Sequence, residues 1–222
     1  MKRALLACLA ILPAAAVHAA SFDCKKALNA AERKICASGQ LSSLDSRLAD
    51  TYAAALELTP DAKSLRDEQR AWLKERDRCF ARVSPCENED VADEYRDRIH
   101  EFEERILKAD CSLGNEPAMA RCEGLKAQVF DARMAALIEQ MKAQLLDPDA
   151  ELVAQKAWKE YRDEECQSRI SEGGSLGGAE NWHCLADFTS ARIKDLQEYH
   201  FCTENDCPGR KPDQSLNPSK SP

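Results

Sequence analysis

The sequence lacks most of what enzymes, membrane proteins and nucleic-acid binders need. It has no Cys-x-x-Cys pair, and its four histidines do not cluster at ligand spacing, which removes the usual basis for a zinc site. The glycine-rich stretch at 173–178 follows no strand-like run and lacks a phosphate-binding lysine, so it is not a P-loop. Beyond residue 20 no apolar run approaches the roughly 20 residues of a membrane span. Bases are in deficit, with 31 Lys and Arg against 39 Asp and Glu for a net charge of -8, which argues against nucleic acid as a partner. Strand-like alternation is missing throughout.

What is present begins with an export signal. Lys2 and Arg3 precede an apolar run from Ala4 to Val17, and Val17-His18-Ala19 suits a small-residue cleavage site, so residues 1–20 read as a signal peptide. Leu5-Leu6-Ala7-Cys8 superficially suits a lipid-attached cysteine, but cleavage there leaves too short an apolar signal. Loss of two bases and no acid takes the charge from -8 to -10. Of 11 cysteines, ten remain: Cys24, Cys36, Cys79, Cys86, Cys111, Cys122, Cys166, Cys184, Cys202 and Cys207. An even set in an exported chain predicts disulfides, whose pairing the sequence leaves open.

Apolar residues recur at helical spacing. Asn29 with Glu32 three residues on forms a capping-box pattern for a first helix. Leu41, Leu44, Leu48, Tyr52 and Ala55 mark a second, a third carries Leu65 and Trp72 with Pro60 placed at its first turn, and Val91, Tyr95, Ile99, Phe102 and Ile106 mark a fourth.

The pattern then repeats. Gln69, Trp72 and Arg76 return as Gln155, Trp158 and Arg162. Cys36 to Asp45 and Cys122 to Asp131 are both nine residues, and Asp45 to Trp72 and Asp131 to Trp158 are both 27. The expected fold is therefore all-α: two tandem disulfide-bonded helical modules at 21–109 and 110–201, then a small Cys202 to Cys207 loop and a disordered tail within 202–222. Modules of this size bury a modest core and commonly rely on disulfides.

Spacings of 3 and 4 put Gln69, Trp72 and Arg76 on one helical stripe beside the core. That stripe reads as a structural network holding helices together rather than a ligand site. Asp45 is the candidate carboxylate for Arg76 and Asp131 for Arg162, since a buried arginine needs one. No catalytic constellation accompanies it. His100, His183 and His200 have no nucleophile at matching spacing, the acid runs Glu101-Phe-Glu103-Glu104 and Glu164-Glu165 read as solvated faces, and no cofactor is implied.

The modules differ at one place. Cys79 and Cys86 are seven apart, whereas Cys166 and Cys184 are 18 apart around a glycine-rich segment. The default for such a segment is a mobile loop. Its functional reading is a partner-binding loop over 171–183, with Glu172, Gly173, Gly174, Ser175, Leu176, Glu180 and Trp182 as contacts. Charge differs too: 16 bases and 19 acids give -3 over 21–109, and 10 against 17 give -7 over 110–201. An acidic second module favours a basic protein partner.

The first module resembles the amino-terminal half of the LprI family of exported bacterial proteins. The likeness lies in Phe22-Asp23-Cys24, Glu32-x-x-Ile35-Cys36, Leu44-Asp45-x-x-Leu48-x-x-x-Tyr52 and Gln69-x-x-Trp72. The second resembles its carboxy-terminal half, through Gln155-x-x-Trp158-x-x-Tyr161-Arg162-Asp163-x-x-Cys166, Gly173-Gly174-Ser175, Cys184-Leu185, Arg192-Ile193 and Leu196. The resemblance implies a helical, disulfide-bonded protein, periplasmic or secreted, that binds and inhibits lysozyme. The competing reading is a non-catalytic envelope interaction module with a different partner.

Overall fold

The computed structural model describes residues 20–81, 88–142, 148–170 and 177–205, the side chains of 81, 88, 89 and 199–205 excepted. Residues 1–19 of the expected export segment at 1–20, Cys86, Cys207, the tail from 206 and the contacts Glu172, Gly173, Gly174, Ser175 and Leu176 lie outside the described residues, as does the side chain of Cys202.

The fold is all-α, two disulfide-bonded modules in tandem, with no strand among the described residues. A short 3-10 turn at Cys24–Lys26 leads into α1 (Ala30–Ala37), α2 (Gly39–Leu58), α3 (Ala62–Ala81) and α4 (Asn88–Leu107). The second set comprises α5 (Glu116–Lys142), α6 (Pro148–Ile170) and α7 (Gly177–Asn205). Helix α7 runs on through Cys202 to Asn205, past the expected start of the tail.

Local chemistry explains where the helices begin. At α1 the Asn29 side chain accepts from the Glu32 amide at 2.8 Å while Glu32 accepts from the Asn29 amide at 3.4 Å, so two otherwise orphaned donors are satisfied reciprocally. At α3 the cap is Asp61, whose carboxylate accepts from the Ser64 amide at 2.9 Å. Pro60 therefore stands one residue before the cap rather than in the first turn, because an aspartate can take an orphan N–H and a proline cannot. Asn115 caps α5 through the Ala118 amide at 3.1 Å, directly after Gly114 at φ 109°. That left-handed backbone is open to glycine at little cost. Pro148 opens α6, where its missing N–H loses nothing.

The described residues divide into two compact units, one within 20–56 and 61–101 and the other within 57–60 and 102–205. In the first, Ile35 of α1, Leu41 and Leu48 of α2, Leu65 of α3 and Val91, Tyr95 and Ile99 of α4 are buried. In the second, α5 and α6 each pack on α7, and Met134, Met141 and Leu196 form a core flanked by Leu137, Ile138, Trp158 and Ile193. Disulfides pair Cys24 with Cys36, Cys111 with Cys122, and Cys166 with Cys184. The first two close equivalent short loops at the start of each module, and the third ties α6 to α7. Loop-closure entropy for rings of this size corresponds to about 3 kcal/mol each.

Candidate functional site

Each module centres a polar network on a buried arginine, Arg76 in the first and Arg162 in the second, and the first buries Arg98 as well. In the first unit α2 supplies Asp45, α3 supplies Gln69, Trp72 and Arg76, and α4 supplies Tyr95 and Arg98, all within hydrogen-bonding or ring-contact reach. Arg76 donates from Nη1 to the Tyr95 hydroxyl at 2.9 Å and to Asp45 Oδ1 at 3.4 Å, and from Nε and Nη2 to Asp77 Oδ1 at 3.0 and 2.7 Å. The Tyr95 hydroxyl donates its own proton to Asp45 Oδ1 at 2.7 Å. The other oxygen of Asp45 accepts the Ser21 amide at 2.9 Å and the Ser21 hydroxyl at 2.6 Å. Trp72 stands edge-on to Tyr95, with ring centroids 5.1 Å apart, and the Arg76 guanidinium lies over its indole. One helix position along the stripe, Gln69 accepts from Arg98 Nε at 3.1 Å.

The second unit repeats this with different side chains. Arg162 donates from Nη1 to Asp131 Oδ1 at 2.5 Å and to the Thr189 hydroxyl at 2.6 Å, and from Nε and Nη2 to Asp163 at 2.9 and 2.7 Å. Thr189 occupies the place of Tyr95, but its hydroxyl gives its proton to the Leu185 carbonyl at 2.7 Å. Gln155 accepts from Arg192 Nε at 3.4 Å, as Gln69 does from Arg98, and also donates to Glu151. The guanidinium groups of Arg162 and Arg192 both lie over the Trp158 ring, at 5.4 and 5.9 Å.

Electrostatics keep these arginines charged. Burial opposes the Arg76 cation, but Tyr95 and Asp77 outweigh it and raise the pKa above the ordinary arginine value. Burial likewise opposes the Arg162 cation, and its hydrogen bonds to Asp131 and Asp163 outweigh it. Tyr95 is held neutral: burial pushes its phenol well above the ordinary value, Arg76 pulls it back by less, and Asp45 adds to the rise.

Several members of these networks are not nominated by the intervals in the sequence. Asp77 and Asp163 sit directly after the arginines, and the repeated Arg-Asp pair is their signal. Tyr95 and Thr189 share no chemistry beyond a hydroxyl, and they are recoverable only from the Arg98-Ile99 and Arg192-Ile193 pairs three residues on. Ser21 lies upstream of the first cysteine, outside the intervals that the two modules share.

At the expected partner-binding segment, Glu180 and Trp182 belong to α7, which begins at Gly177, so the stretch 171–183 is helical over its second half. Gly177 permits this start: a Cβ there would stand 2.8 Å from Ile170 Cγ2, at the end of α6. Glu180 is exposed. Trp182 is 38% exposed and covers Gly124 of α5, where a Cβ would lie 3.5 Å from the indole. The glycine gives the tryptophan a flat seat, leaving one side of the ring to solvent. Tyr161, 56% exposed on α6, meets Phe188 of α7 edge-on at 6.3 Å, and Arg169 lies over Phe188. Among the described residues no group of three or more His, Cys, Asp or Glu is placed to hold a metal ion, and no helix is long and apolar enough to cross a membrane.

Comparison with known families gives one match, found twice. The family described as "Lysozyme inhibitor LprI" matches residues 24–114 and again residues 109–196. No curated protein and no solved structure matches the chain significantly.

Proposed function

The chain belongs to the LprI family, carrying its module twice, and on that premise we propose that it is an exported protein that binds and inhibits a lysozyme-like muramidase by occluding its cleft. The observation that carries the reading is the match of both modules to a family described as a lysozyme inhibitor. The -7 balance of residues 110–201 supports it, because c-type lysozymes are commonly basic and opposite charge speeds and orients encounter. Disulfides on short loops fit a periplasmic or secreted location, where thiols are oxidised.

The second module is the one we assign to binding. The Cys166–Cys184 bridge fixes the two helices on either side of residues 171–176, and α7 presents Glu180 and the free side of Trp182 from its first turns. A partly exposed tryptophan and an exposed carboxylate on the first turns of one helix have the composition of a binding hot spot with a polar rim. Glu172, Gly173, Gly174, Ser175 and Leu176 complete the proposed contact. On this reading the protein acts by obstruction rather than by catalysis.

The test mixes the oxidised full chain with a c-type lysozyme and follows both complex formation and cell-wall lysis at low and moderate salt. Inhibition at stoichiometric ratio, weakening as salt rises, is the expected result. Binding without inhibition would instead favour a non-catalytic envelope interaction module, and absence of binding would end the lysozyme reading. Replacing 171–176 by a Gly-Ser segment of equal length, together with Glu180→Ala and Trp182→Ala, should abolish inhibition while circular dichroism stays helical.

A further inference from the structure

The geometry points to Asp131 as the seat of a cationic side chain from the partner protein, its outer carboxylate oxygen Oδ2 being an acceptor that the equivalent position of the first module fills from its own chain. The inference rests on the reading that the partner is a basic protein, and it adds a residue of α5 to the contacts proposed above.

Asp45 and Asp131 are equivalent by interval and by partner, each nine residues after a bridged cysteine and each bonded through Oδ1 to the buried arginine. Their outer oxygens differ. Asp45 Oδ2 is filled by the Ser21 N–H and O–H at 2.9 and 2.6 Å, and the side chain is 5% exposed. Asp131 Oδ2 accepts no hydrogen bond from the described residues, and the side chain is 44% exposed. Ser21 lies three residues before the first cysteine of its module; the residue three before Cys111 is Lys108. The Lys108 ammonium faces Glu104, 3.5 Å away, so the chain's own candidate for the role is engaged elsewhere.

Charge and rigidity agree with an open cation seat. Arg162 serves two carboxylates at once, Asp131 and Asp163, and the neighbouring Lys159 reaches Asp163, at 3.4 Å, rather than Asp131. On α5 the residues three and four away from Asp131 are Ala127, Gln128, Met134 and Ala135, all uncharged, so no cation competes from those neighbouring positions of the helix. The carboxylate is also held in place: Arg162 is only 2% exposed and is itself fixed by Thr189 and Asp163. A fixed acceptor loses little conformational freedom when a donor arrives. An arginine or lysine head offers the N–H donor that Ser21 offers in the first module, together with a positive charge opposite the exposed carboxylate.

Two variants and two probes test this on the oxidised full chain. Asp131→Asn removes the charge. Gln128→Arg, at an exposed position one turn away, supplies an internal cation while keeping Asp131 and its bond to Arg162. Each should weaken binding of a c-type lysozyme about tenfold, whereas Glu139→Gln, an exposed acid further along α5, should stay within about twofold. Wild-type affinity in a folded Gln128→Arg variant overturns the inference. Arginine amide, titrated at millimolar concentration, should move the Asp131 carboxylate carbon resonance saturably in the wild type and not in Gln128→Arg. If the wild type fails to bind lysozyme, the lysozyme reading falls and the arginine titration decides alone: saturation upholds the seat, and its absence overturns it.

Discussion

Replacing Asp45 by asparagine is expected to cost about 3 to 5 kcal/mol, and the same change at Asp131 only about 1 to 2 kcal/mol, although sequence makes the two positions equivalent. Asp45 is nearly sealed from water and accepts four donors: the Ser21 amide and hydroxyl, the Tyr95 hydroxyl and Arg76 Nη1. Asparagine keeps one acceptor oxygen and turns an NH2 toward the donors at the other, so at least one buried polar group is stranded. Arg76 retains both of its bonds to Asp77, which limits the loss. Asp131, at 44% exposure, is open to solvent, and screening reduces what its charge contributes. The assay is urea unfolding followed by fluorine NMR on protein labelled with 5-fluorotryptophan. Trp72 reports the first unit, and Trp158 and Trp182 report the second, so each midpoint is read separately and no single two-state transition is assumed. Ser21→Ala should by itself cost about 1.5 kcal/mol, seen only at the Trp72 resonance. Equal costs at Asp45 and Asp131, or a larger cost at Asp131, would refute the view that burial and the Ser21 bonds set the difference.

Three further outcomes are expected. Gly177→Ala should destabilise the second unit by about 1 to 2 kcal/mol through the collision with Ile170, and Ile170→Ala in the same chain should recover part of it, as read from urea midpoints. Replacing Cys111 and Cys122 together by serine should remove about 3 kcal/mol from the same unit, measured against the oxidised wild type. Tyr95 is kept neutral in the folded state while an unfolded tyrosine ionises near pH ~10, so its stabilisation is complete below that value and is lost as pH rises above it. Denaturation followed from about pH 8 upward should show this alkaline fall for the wild type and a flatter profile for Tyr95→Phe.

The fold was legible because its signals are local. Spacings of 3 and 4 locate the helical faces, and Val91, Tyr95, Ile99, Phe102 and Ile106 are all buried along α4 as that periodicity requires. The Asn29 capping box is likewise a matter of four adjacent residues. Departures came where two local rules compete. Proline suits a first helical turn, but Asp61 next to it accepts an amide and so becomes the cap. Glycines usually mark loops, yet Gly177 starts a helix because the close approach of Ile170 leaves no room for a Cβ.

The networks were half legible, for a reason of register. Asp45, Trp72 and Arg76 lie before the segment where the modules change length, so equal intervals carry them onto Asp131, Trp158 and Arg162. Tyr95 and Arg98 lie after it, 19 and 22 residues from Arg76, whereas Thr189 and Arg192 are 27 and 30 from Arg162. An interval comparison fails across that change even though the packing is kept. Ser21 is hidden more deeply, because nothing in a repeat can announce a residue that only one copy uses. An interval can say which side chains meet; it cannot say whether water reaches them. That second property separates a sealed Asp45 from an open Asp131, and a carboxylate that braces one module can therefore remain available to a partner in the other.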